Sequence, residues 1–171
     1  MPGKNNKGNK MIRIFKIALA VFIALFCLTY AAQNLMNLPS AHGFVCLMTS
    51  MADHAAYPDH IGPPITSPGI VWVFVFIIIA AELLGGLFAA KGALDMWKAR
   101  GADADAFNSS KTYAMAACGV AVLLWFGVFG AIGGAYFQMW QVAAAEGPLA
   151  HASAFSIQHG VFFLIFALKD S

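Results

Sequence analysis

The stretch "GIVWVFVFIIIAAELLGGLFAAK", residues 69–91, holds a single acid, Glu82, and no base before Lys91. At about 1.5 Å of rise per residue such a run is long enough to cross a hydrocarbon layer of about 30 Å. No water at that depth can satisfy backbone N–H and C=O groups, so a lone segment crosses only as a helix. Composition extends this reading to the whole chain. Of 171 residues, 60% are hydrophobic and 11% charged, against about 45–50% and about 25% in ordinary soluble domains. A soluble fold of this size has no interior able to hide so much apolar surface. The net charge of +2 gives no reason to expect a nucleic-acid partner; the bilayer itself is the expected partner.

Three further apolar stretches accompany the first, so the spans run over about 12–34, 69–91, 112–140 and 149–168. The placement of basic residues orients them. Lys4, Lys7, Lys10, Arg13 and Lys16 precede or open the first span, Lys91, Lys98, Arg100 and Lys111 lie between the second and third, and Lys169 follows the fourth. These are all ten Lys and Arg residues, and segments 35–68 and 141–148 have none. The positive-inside rule then puts both termini and loop 92–111 in the cytoplasm and loop 35–68 outside. The expected fold is an all-α membrane protein: one transmembrane domain over 1–171, a four-helix bundle in the bacterial inner membrane, with a short interfacial helix in the outside loop. The first span also has the basic start and apolar core of a signal peptide. Its length, and Phe26 and Tyr30 beside the possible cleavage site after Ala31, favour a retained span.

In the outside loop, "SAHGFVCLMTSM" (40–51) has Phe44, Leu47, Met48 and Met51 at helical spacing, with Ser40 as N-cap. The following "YPDHIGPPITSPG" has too many prolines for a helix. Cys27, Cys46 and Cys118 lack CxxC spacing, and no internal disulfide is expected.

The groups able to carry chemistry lie within the spans. Glu82 is about 13.5 Å from Lys91 along a helix, and an ionisable group at such depth costs at least about 2.5 kcal/mol unless it faces the bundle and finds a partner. It reads either as a proton or cation site or as a carboxyl that hydrogen-bonds a neighbouring helix. His159, ten residues before Lys169, sits at matching height and is the expected partner. Span four is polar for its length, with Ser153, Ser156, Gln158 and His159. Gly85 and Gly86 follow Glu82 one turn on. In span three Gly127, Gly130 and Gly134 share an arc at 100° per residue, a GxxxG face expected to bring helices close. The loop pairs Asp53-His54 and Asp59-His60 offer imidazoles and carboxylates, but their spacing matches no compact metal motif, and no metal or cofactor is expected. Nucleophile-elbow, Walker and Rossmann patterns are missing, so no enzymatic activity is expected.

Several short matches occur in order: "SMADH" (50–54) with Pro58 after it, "ITSP" (65–68), Glu82, "AFNSSK" (106–111) and "WFGVFGAIGGAYFQMWQ" (125–141). On these the chain resembles, from Arg13 onward, a bacterial family of predicted small integral membrane proteins of unknown function. Such proteins often carry Gly-Gly-Glu-Trp-Phe where this chain has Gly133, Gly134, Ala135, Tyr136 and Phe137, so any role of that carboxylate is missing here. The resemblance implies four spans and supplies no mechanism. Two functions follow from the residues: a non-catalytic accessory or scaffold subunit packing against itself or a larger complex, and, as the alternative, a proton-coupled transporter or channel component using Glu82 and His159.

Overall fold

A computed structural model describes the backbone of residues 4–171 and the side chains of 8–171; the side chains of Lys4 and Lys7, part of the charge pattern above, lie outside it. Helix α1 covers Lys4–Met36, α2 Leu38–Ser50, α3 Pro68–Ala99, α4 Ala104–Ser109, α5 Thr112–Val122 and α6 Glu146–Ala167. α5 runs on as a π-helical segment, Leu123–Tyr136, and two short 3₁₀ turns lead into α6. Among the described residues there is no strand. Four helical stretches are long and apolar enough to cross a membrane: Gly8–Met36, Pro68–Ala99, Ala104–Tyr136 and Ala143–Ala167. The fold is an all-α membrane bundle.

Consecutive spans pack side by side, α1 on α3, α3 on α5, and α5 with the π segment on α6. Chains of short connections favour such neighbours. The span ends that carry Lys and Arg gather at one end of the bundle, here called the basic end; α2 and residues 51–67 cover the other, the loop end, where Glu146 opens α6. The core toward the basic end is rich in small residues, Ala20, Ala24 and Cys27 from α1, Ala89 and Ala93 from α3, Ala114, Ala117 and Cys118 from α5, with Ile17, Ile23, Met96, Phe107 and Phe166 filling the space around them. In lipid no hydrophobic force draws helices together, so close backbone approach and dispersion do so instead. The closest approaches are on α3. A Cβ on Gly92 would lie 2.5 Å from the Ala114 backbone nitrogen, and one on Gly86 would meet Leu28 at 2.6 Å.

α1 and α3 end at different heights on the loop side. Past the level where Asn34 meets Glu82, α1 has two more residues and α3 fourteen, about 3 Å against about 21 Å. α2 occupies the space above the short helix. It starts at Leu38, with Pro39 in its first turn and Asn37 before it, so Ser40 is not the cap: proline needs no N–H partner in the first turn and sets the start two residues early. α2 packs inward through Phe44, Leu47 and Met48 against Met139, Val142 and Leu149. It ends at Met51 in the left-handed region, φ 52°, and the chain then turns back through Thr49, whose hydroxyl donates to the Ile65 carbonyl at 2.7 Å.

Candidate functional site: polar groups inside the spans

Glu82 is 1% exposed. Its two oxygens accept from the Asn34 amide nitrogen at 3.0 and 2.9 Å. The geometry follows from helix chemistry. Side chains lean toward the N-terminus of their own helix, and α1 and α3 are antiparallel, so Asn34 leans down and Glu82 up until they meet. Gly85 and Gly86, one turn further along α3, let α1 close in around Cys27 and Leu28, which brings Asn34 within reach. Above the pair a cavity of about 60 Å³, lined by Asn34, Ala41, Phe44, Val45, Ile78 and Phe129, opens beneath α2. It has room for water next to the amide, since about 10–15 Å³ suffices for one molecule.

His159 is not the partner of Glu82, and the expected pair does not form. Its Nδ1 donates to the Phe155 carbonyl one turn back, at 2.7 Å, with the tautomer assigned from that contact, and its buried Nε2 has no partner. The obstacle is aromatic. Phe26 and Tyr30 of α1, Trp125 of the π segment and Phe155 of α6 fill the middle of the bundle, with ring centroids 4.8 Å apart for Phe26–Phe155 and 5.5 Å for Tyr30–Trp125. His159 lies against the same Phe26 at 5.4 Å. α3 and α6 sit diagonally, and this layer separates them.

The other polar residues of α6 behave differently from one another. The Ser153 hydroxyl donates to Leu149 O at 3.0 Å and that of Ser156 to Ser153 O at 2.8 Å; both are satisfied within the helix. Gln158 is exposed on the lipid-facing surface and makes no hydrogen bond among the described residues. α6 is also the least apolar of the four spans and the least covered: 17% of its most apolar window is buried, against 28–39% in the others.

The glycines of span three do not form the expected seam. Gly127 has no atom of another helix within 4 Å of where a Cβ would be, and Gly130 meets only its own helix. Gly134 touches Leu149 of α6 at 3.3 Å. The reason is the winding. Phe137 N–H donates to Ile132 O, five residues back, at 2.9 Å, and π winding turns each residue through less than the α-helical 100°. Gly127, three residues before Gly130 and seven before Gly134, then no longer shares their face.

At the loop end His54 is buried and neither ring nitrogen has a partner. The His60 ring is 4.9 Å away, centroid to centroid. Burial, and next the neighbouring His60, hold His54 below the ordinary histidine range, with Asp53 opposing. Asp53 and Asp59 are exposed, and no three His, Cys, Asp or Glu side chains gather among the described residues as a metal site needs.

One cluster has no counterpart in the sequence reading. At the basic end, Asp170 Oδ2 accepts from both Lys16 Nζ and Lys111 Nζ at 2.6 Å, with all three side chains at most 4% exposed. Both ammonium groups also donate to the Leu168 carbonyl, at 2.9 and 2.7 Å. Asn108 closes the loop, donating to Asp170 O and accepting from Asp170 N–H. Burial alone would raise the Asp170 carboxyl; the hydrogen bonds from Lys111 and Lys16 outweigh it and hold it below the usual range. Two bases and one acid near three span ends were the available signal.

A family model for predicted small integral membrane proteins matches residues 12–169. No curated protein and no solved structure matches the chain.

Proposed function

Because the chain belongs to the DUF2165 family of predicted small integral membrane proteins, we propose that it is a non-catalytic accessory or scaffold subunit that docks in the membrane plane through α6. One observation carries this reading: the least apolar span is also the least covered, and it holds Gln158 against lipid. An amide in hydrocarbon with no partner is costly, and a second transmembrane helix supplying a donor or acceptor removes the cost. The partner is a larger membrane complex or a second copy of the chain. Gln158→Leu is the test. It should leave the purified protein as stable as before, or more stable, while the native assembly in mild detergent loses mass; an unchanged assembly would reject α6 as the contact.

The orientation belongs to the same proposal. All ten bases lie at the basic end or on the span residues next to it, so that end is cytoplasmic and the membrane is the bacterial inner membrane. With single cysteines in a cysteine-free background, position 67 should react with an impermeant maleimide in intact cells and position 109 should not. Labelling at 109 alone would invert the protein.

The alternative, a proton-coupled component, draws support from the water-sized cavity above Asn34 and Glu82. It has lost its second residue, since His159 lies behind the aromatic layer. Toward the basic end Glu82 is followed by the packed small-residue core, which holds the Cys27 and Cys118 thiols but, among the described residues, no charged side chain before Lys16 and Lys111.

A further inference from the structure

We infer that the seam between α1 and α6 at the basic end binds a phospholipid with an anionic headgroup. The helices are held together near mid-height by Phe26 on Phe155. Below that contact they part. A cavity of about 150 Å³ lies between Leu19, Phe22 and Phe26 on one side and Gln158 and Phe162 on the other. Further down a second, of about 330 Å³, is lined by Ile12, Phe15 and Leu168 and then, at its rim, by Asn9, Lys16, Lys169 and Asp170, whose Oδ2 is already held by Lys16 and Lys111. Along one seam the lining thus changes from mostly apolar, with Gln158 and His159 at its upper end, to a rim with two cations and one acid at the surface. Phe22, Phe15 and Leu168 are 68%, 56% and 65% exposed, so an acyl chain lies along them without displacing protein.

The charges at this end favour the same ligand independently of the shape. Arg13, Lys16 and Lys111 are all more than nine-tenths buried, and Asp170 is the one acid among them. Arg13 is not paired with a carboxylate. Its Nη1 donates to the Arg100 and Ala102 carbonyls at 3.2 and 2.6 Å, its Nε has no partner among the described residues, and its guanidinium lies 4.6 Å over Phe107. Nearby Asp103 accepts from the Ala106 N–H as the cap of α4. Three buried cations against one buried anion leave an excess of positive charge at this end; exposed Lys169 adds to it on the seam itself, and exposed Lys10 adds to it from the neighbouring cavity that it lines with Arg13 against residues 100–104. Buried charge demands a counter-charge. A basic pocket between helix ends, open to lipid below, draws it from an anionic headgroup. A free phosphate would satisfy the rim and ignore the apolar trough; the continuous lining favours the lipid.

The test uses the full chain reconstituted with equimolar phosphatidylglycerol and phosphatidylcholine, then released into mild detergent for mass measurement of the retained lipid. The protein should retain phosphatidylglycerol in excess of its bulk share. Lys10→Gln and Lys169→Gln remove exposed cations with no structural bond among those described, so the fold is kept. Each should cut the enrichment about fivefold. Inorganic phosphate at the same concentration should not displace the lipid. Three results would overturn the inference: equal retention of the two lipids by the native chain, enrichment that survives in the double variant, or displacement by inorganic phosphate. The last would identify an anion site without a lipid.

Discussion

Replacing Asn34 with leucine removes the donor of Glu82 while nearly keeping its volume. The carboxyl stays buried, at 1% exposure, and loses two contacts of 3.0 and 2.9 Å. Hydrogen bonds between membrane helices average about 0.6 kcal/mol, so the two together give about 1.2 kcal/mol. Stranding a buried polar group raises the cost of the single variant to about 1–3 kcal/mol. Glu82→Gln keeps an acceptor of the same shape and should cost less than about 1 kcal/mol. Asn34→Leu combined with Glu82→Leu removes both partners, and its cost should fall short of the sum of Asn34→Leu alone and Glu82→Leu alone by about 1.2 kcal/mol or more. Unfolding in mixed micelles with rising dodecyl sulfate, followed by tryptophan fluorescence, measures all four corners of the cycle. Coupling within about 0.3 kcal/mol of zero, the range of independent sites, would refute the pairing.

Two glycines predict opposite outcomes. Gly92→Ala drives a Cβ to 2.5 Å from backbone at Ala114 and should cost about 1–3 kcal/mol in the same assay; Gly127→Ala meets open space and should be neutral or stabilise by up to about 1 kcal/mol. The Asp170 cluster sets an acid limit. A carboxyl held low in the folded state contributes stability that is fully present above its unfolded value near pH 4 and is lost as pH falls through its folded value. Thermal stability should therefore drop below pH 4, and Lys111→Met should flatten that dependence; an unchanged acid limb in the variant would contradict the cluster.

Span number and helix class were legible because a continuous apolar run in a bilayer has one solution. Boundaries were less so. α3 continues eight residues beyond Lys91, since Lys91 pairs with Asp95 one turn on at 2.7 Å and lies 4.0 Å over Tyr113; a snorkelling lysine marks the interface, not the helix end. Asn34 went unnoticed because it closes an apolar run and looks like a surface residue. Only the early end of α1, with α2 seated above it, puts that residue opposite Glu82. His159 matched Glu82 in height by counting, yet height says nothing of what fills the middle, and four aromatic rings do. The glycine arc failed because 100° per residue was the wrong angle for a π-wound segment. Periodicity reads a face only when the winding is known.

The proposed docking face is α6. A photo-reactive amino acid in place of Gln158, with Leu87 on the exposed side of α3 as the control position, tests it directly in intact membranes. The account predicts one discrete protein adduct from position 158, its mass equal to the partner or to a second copy of this chain, and lipid adducts alone from position 87. Lipid adducts alone from both positions would contradict it.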